Sequence, residues 1–160
     1  MNTKTNCINA NTWRALSLAV VVFLFGCFDN NIELNEVIQA VDLNDTRALK
    51  LFLDQGGDPD MLSESGSSML YIATGPHGGH GVLEMLLEAG ANPNIGNHSY
   101  TPLMNASSWC NLSSVKTLIK FGADVSIENS RGKTALETVC ISGDDREQVI
   151  QFLNDVKEGL

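Results

Sequence analysis

Basic residues are scarce in this chain. Lysine and arginine together number 10 among 160 residues, against 19 aspartates and glutamates, and the formal net charge is −9. A surface of that sign repels phosphate backbones, so nucleic acid is excluded as an expected partner. Histidine occurs only three times, and the four cysteines (Cys7, Cys27, Cys110 and Cys140) show neither CxxC pairing nor cysteine–histidine ligand spacing. His77 and His80 stand three apart in a glycine-rich stretch, yet no cysteine or carboxylate lies nearby at ligand spacing, so no metal site is expected. A glycine-rich phosphate loop is missing, as are the signatures of a Ser–His–Asp set or a catalytic carboxylate pair. The expectation is a protein without cofactor, small-molecule substrate or catalysis. The apolar run Ala15–Phe25 is 11 residues long. As a helix it would reach about 16 Å, against roughly 30 Å of bilayer hydrocarbon, so it is too short to span comfortably.

What is present is an ordinary globular composition, 43% apolar and 18% charged. Disorder is not the default for such a chain. The length suits one compact domain plus a leader.

The leader is residues 1–26. Lys4 and Arg14 precede the apolar run, no acid occurs before residue 27, and the run ends Leu24-Phe25-Gly26-Cys27. A basic start, a short apolar core and a small terminal residue are the parts of a secretory signal. The last four residues resemble a bacterial lipobox. That resemblance implies cleavage after Gly26, a diacylglycerol on the Cys27 thiol, and a lipid-anchored protein of the cell envelope facing the periplasm. Residues 27–31 would be the tether. Removing residues 1–26 takes away two positive groups and moves the net charge from −9 to −11. Anionic headgroups would push so acidic a domain outward from the membrane.

The rest of the chain repeats. Gly66–Ala73, Ser99–Ala106 and Gly132–Val139 align at intervals of 33 residues, with Leu70, Leu103 and Leu136 in register and Ser68, Thr101 and Thr134 likewise. A second comb runs through Ala48, Val82, Val115 and Val149, and a third through Gly56-Gly57-Asp58-Pro59-Asp60, Gly90-Ala91-Asn92-Pro93-Asn94 and Gly122-Ala123-Asp124-Val125-Ser126. Periods of this length mark stacked repeats, in which no single unit closes a core. Thr101-Pro102 suits a helix start, since a hydroxyl caps orphan N–H groups and proline lacks one. Gly90 and Gly122 suit left-handed helix ends.

These residues resemble the ankyrin repeat, whose pattern reads G-x-T-P-L-H-x-A, a helix pair, then L-L-x-x-G-A-D-x-N. The resemblance covers residues 32–157. It implies an all-α solenoid of about four stacked helix-pair repeats with short β-turn fingers. The end repeats depart from the pattern: residues 32–62 show only a helix pair, near 33–43 and 45–55, and the last repeat ends without a Gly-Ala-Asp loop. Repeat two carries an extra residue in Gly75–Gly81.

The resemblance also implies what the protein does. Ankyrin proteins bind partners through finger tips and the exposed side of the inner helices. Mapped onto this chain, that face comprises Glu64, Ser65 and Ser67; Asn97, His98 and Tyr100; Ser108 and Trp109; and Ser130, Arg131, Lys133 and Ile141. Aromatics and arginine dominate interface energetics, which singles out Tyr100, Trp109 and Arg131. The expected function is a membrane-tethered binding module for an envelope or periplasmic protein. Its narrower forms are an immunity protein against a periplasm-acting toxin and a support factor for a periplasmic stress enzyme. Cys110 and Cys140 map to adjacent inner helices. Such helices pack about 8–10 Å apart, whereas a disulfide needs Cα atoms within about 7 Å. Two buried core thiols are the expected state, with a Cys110–Cys140 disulfide as the alternative that an oxidising compartment would favour.

Overall fold

The structure is a computed structural model that describes residues 33–77 and 79–159. The leader, Cys27 and the tether lie outside these residues. The described chain forms seven α-helices: α1 (Glu33–Asp42), α2 (Thr46–Asp54), α3 (Met69–Ala73), α4 (His80–Glu88), α5 (Pro102–Ser108), α6 (Leu112–Lys120) and α7 (Arg146–Glu158). A 3₁₀ turn at Leu136–Thr138 stands between α6 and α7. The inner row is α1, α3, α5 and the 3₁₀ turn, each packed on the next, and the outer row is α2, α4, α6 and α7. The architecture is an all-α ankyrin solenoid of four stacked repeats.

Four of the seven helices start on a side-chain cap that the sequence supplies. Ser68 Oγ accepts from the Tyr71 amide at 3.0 Å, and Thr101 Oγ1 accepts from the Met104 amide at 3.2 Å. Asp45 and Asn111 do the same for the outer helices α2 and α6. The helices end where left-handed backbone is cheap: Gly90 and Gly122 have φ of 94° and 88°. Between the rows lies a continuous core that includes Val41, Leu49, Met69, Leu70, Leu83, Leu86, Leu103, Met104, Val115, Leu118 and Leu153. Each repeat contributes a few apolar side chains to both neighbours, which is why stacking closes the core.

Two polar systems fix the register of the stack. Asn105 is buried on α5, and its Nδ2 donates to the Tyr71 carbonyl and to Thr74 Oγ1, both at 3.1 Å. Those acceptors sit at the end of α3, a helix of only five residues whose last carbonyls need partners from outside. Along the loop edge, Asp60 Oδ1 accepts from the Asn92 amide at 2.8 Å, and Asn94 Oδ1 accepts from the Asp124 amide at 2.9 Å. The third comb of the sequence is therefore a hydrogen-bonded ladder between repeats.

The fourth repeat differs from expectation. Its inner segment is no helix but one 3₁₀ turn, and Cys140 lies beyond that turn. Val139 is extended, and the Cys140 amide donates 3.1 Å across to the Ser107 carbonyl of repeat three rather than back along its own turn. Cys110 likewise lies just past α5, in left-handed backbone with φ of 52°. Cys110 and Cys140 are joined as a disulfide with Cα atoms 5.6 Å apart. The expected pair of free thiols is thus corrected. The helix-to-helix spacing that argued for it does not apply, because neither cysteine sits on a helix.

Candidate functional site

The fingers are short hairpin turns, with one isolated antiparallel bridge, Leu62 to Ser68. In the first, the Ser63 amide donates to the Ser67 carbonyl at 2.8 Å. The hydroxyls of Ser63, Ser65 and Ser67 form a chain of contacts at 2.9 and 3.4 Å. Ser65 and Ser67 therefore shape the finger, while Glu64 stands exposed at its tip. In the second finger, Asn97 Oδ1 accepts from the amides of Ser99 and Tyr100 at 2.8 and 2.7 Å. Its carboxamide oxygen is taken up by the turn. His98 is exposed and crosses to the finger before it, where a Cβ on Gly66 would meet its Nε2 at 2.7 Å. Tyr100 is half-buried against the core. In the third finger Ser130, Arg131 and Lys133 are exposed, and Asn129 organises the turn by accepting from the Arg131 and Lys133 amides at 2.9 and 3.1 Å.

At the far end of the inner row the picture changes from polar to apolar. Trp109 is the C-terminal residue of α5's last turn and remains 54% exposed. Ser108, beside it, is half-buried and donates its hydroxyl to the Asn105 carbonyl at 2.8 Å. Ile141 is 97% exposed, the most exposed of the large apolar side chains. The two flank the disulfide, Trp109 before Cys110 and Ile141 after Cys140, so their Cα atoms lie within about 13 Å of one another. The structure therefore places Trp109 and Ile141 within reach of one another with Ser108 beside them, and it spreads the remaining expected residues along three separate fingers.

Sequence reasoning overlooked residues that position this face. Asn44 occupies the same place between α1 and α2 that Cys110 occupies between α5 and α6, also left-handed, with φ of 55°. Its Oδ1 accepts from the Val82 amide of the next repeat at 3.2 Å. One register position thus carries a staple to the following repeat twice, once as a hydrogen bond and once as a covalent bond. The 33-residue offset between Asn44, His77 and Cys110 was the available signal.

The charged groups are solvated and lightly coupled. The Asp124 carboxyl is held below its usual range by the Ser126 hydroxyl and amide, and Glu137 by the Thr134 amide and hydroxyl. Lowered carboxylate pKa values stabilise the fold above the ordinary carboxylate range, and that contribution is lost as pH falls from there through the lowered values. His80 contacts Glu84 at 3.4 Å and Ser113 at 3.3 Å, and His77 lies 4.0 Å from Asp42. Among the described residues, no group of three histidine, cysteine or acidic side chains is placed to hold a metal. At the C-terminal end of the stack, Val125, Thr134, Leu136, Leu153 and Lys157 line an open groove of about 380 Å³.

Residues 37–129 match the family model for ankyrin repeats, in three copies. Human ankyrin repeat and SOCS box protein 16 is 34% identical over 94 residues, which is 58% of this chain and 20% of that protein. The crystal structure of the human ASB11 ankyrin repeat domain superposes with a TM-score of 0.65 at 24% identity, over 73% of this chain and 52% of that one. The chain therefore spans about a fifth of the curated relative and about half of the solved domain. Ankyrin stacks are typically non-catalytic, and their repeats indicate a protein–protein interaction module. With three copies of the repeat matched over more than half its length, the chain belongs to the ankyrin-repeat family.

Proposed function

We propose that this protein is a non-catalytic adhesive module, tethered to a bacterial membrane by a lipid on Cys27 and binding an envelope or periplasmic protein. The observation that carries the binding part is the exposed pair Trp109 and Ile141, held on adjacent repeats with Cα atoms within about 13 Å of one another. A half-exposed tryptophan with an almost fully exposed isoleucine on the next repeat is the kind of anchor that dominates interfaces. Tyr100 and Arg131, on the two neighbouring fingers, would form the rim. The tethering part is supported by the Leu24-Phe25-Gly26-Cys27 run after a basic, apolar leader. The disulfide adds support, since such bonds persist in oxidising compartments such as the periplasm. The net charge of −9 favours a basic partner. A periplasm-acting basic toxin, with this chain as its immunity partner, is the narrower form of the same reading.

The tether is tested by Cys27→Ser. Metabolic labelling with a fatty acid should mark the wild-type chain and leave the variant unmarked and uncleaved. Equal labelling of the two would remove the lipoprotein reading and leave the binding module in place.

A further inference from the structure

The fourth repeat is built with less than the other three. Where α5 buries every residue from Pro102 to Ser107, the 3₁₀ turn buries none of its three. Ala135 is buried beside it, while Leu136 and Val139 are only partly covered. The outer helix α7 is 13 residues long but fully buries only Val149 and Leu153. A groove of about 380 Å³ opens at this end, with Leu136 and Leu153 among its lining residues. Segments with so little apolar burial open at lower cost than the body they dock against.

Beside the packing of the 3₁₀ turn on α5 and of α7 on α6, the polar contacts at this junction gather around Cys140. The Cys140 amide donates to the Ser107 carbonyl at 3.1 Å, and Arg146 Nε at the start of α7 donates to the Cys140 carbonyl, also at 3.1 Å. Gly143 lies so close that a Cβ there would be 3.4 Å from both Cys110 Cβ and Cys140 Sγ. The Cys110–Cys140 bond passes through the middle of this set. Cys140 is itself half-buried rather than enclosed, whereas Cys110 is buried.

We propose that the Cys110–Cys140 disulfide is a redox switch for the terminal repeat: oxidised, it holds residues 135–158 on the stack, and reduced, it lets them open while the first three repeats stay folded. The reductant is a dithiol. Its first thiolate attacks one sulfur and breaks the Cys110–Cys140 bond, giving a mixed disulfide. Its second thiolate displaces the protein sulfur, so the dithiol leaves oxidised and Cys110 and Cys140 each take up a proton as thiols. With repeats one to three folded, the bond restrains only the short stretch from Thr134 to Cys140. For a loop of about seven residues the chain-entropy relation gives a factor on the order of 50 in the opening equilibrium. Ile141 departs from Trp109 when the repeat opens. The loss of the partner that this implies rests on the binding reading above, whereas the switch does not.

The test is amide hydrogen exchange on the full-length chain, purified without reductant, before and after addition of dithiothreitol. Thiol alkylation and mass measurement report the state of the bond in each sample. Amides of residues 136–158 should lose protection on the order of 50-fold on reduction, while those of residues 37–118 stay as they were. The double variant Cys110→Ser/Cys140→Ser should show the opened pattern from the outset and ignore the reductant. Unchanged protection of residues 136–158 in verified reduced protein would overturn the switch. So would equal loss across all four repeats, or alkylation of both Cys110 and Cys140, located by peptide mapping so that Cys7 and Cys27 are not counted, in protein prepared under air. None of these readings involves a partner, so each leaves the binding proposal to stand or fall on its own.

Discussion

Leu103→Ala will lower the stability of the folded chain by about 2–5 kcal/mol. Leu103 is 1% exposed on α5, the central inner helix, which packs between α3 and the 3₁₀ turn. Truncating it removes apolar area from two repeat junctions at once. The surroundings cannot collapse into the space, because Asn105 two residues on is locked to Tyr71 and Thr74. In a stack whose stability is a sum of nearest-neighbour junctions, weakening the middle one costs cooperativity as well as stability. The measurement is thermal unfolding followed by far-UV circular dichroism. For a domain of this size each kcal/mol is worth roughly 3–5 °C, so the midpoint should fall by about 6–25 °C and the transition should broaden. A shift of only a degree or two would mean that this leucine is not where the core carries its load.

Trp109→Ala gives the opposite pair of numbers. Affinity for the bound partner should weaken by at least about 2 kcal/mol, roughly 30-fold in Kd, while the melting midpoint hardly moves. The contrast follows from position. Trp109 ends α5 and lies outside the core cluster, whereas Ala106 and Cys110, three before and one after, are buried. Ile141→Ala should weaken the same complex, again without unfolding the chain, since its side chain is almost wholly in solvent. Tyr100→Ala and Arg131→Ala should each cost about 1 kcal/mol as rim residues. If Trp109→Ala lowers the melting point by many degrees and leaves affinity alone, Trp109 belongs to the core, and the binding face lies on the acidic outer side.

The repeat architecture was legible because apolar side chains and turn glycines recur at a fixed interval, and a period is a property of the sequence itself. Helix ends followed too, since Ser68, Thr101, Gly90 and Gly122 are of the residue types that caps demand. Polar staples were harder to see. Asn105 and Asn44 look like surface residues to any hydropathy argument, and their roles emerge only once neighbouring repeats are stacked. The disulfide stood only as the alternative to free thiols for a more specific reason. The fourth repeat's Leu136 falls in register with Leu70 and Leu103, which suggested a third full inner helix and placed Cys140 on it. The backbone leaves helical geometry at Val139, and that departure brings Cys140 within reach of Cys110. Of the residues assigned to the binding face, those at finger tips were placed by the repeat pattern alone. Whether their side chains are free or engaged in the turn, as with Asn97, depends on hydrogen bonds that no pattern records.

The loop ladder and the turn staples treat chain length differently. Across the ladder the bonded residues are 32 apart, Asp60 to Asn92, and 30 apart, Asn94 to Asp124. Across the turn edge the separations are 38, Asn44 to Val82, and 30, Cys110 to Cys140. One margin of the solenoid therefore keeps a nearly constant stride, and the other accommodates the extra residue of Gly75–Gly81 with the Asn44 staple intact. That makes the connection between Thr74 and Gly79 the natural place to insert foreign sequence. A short epitope or a fluorophore-bearing loop there should leave the melting point within a few degrees. The same insertion between Asn92 and Gly96 would put every later rung out of step.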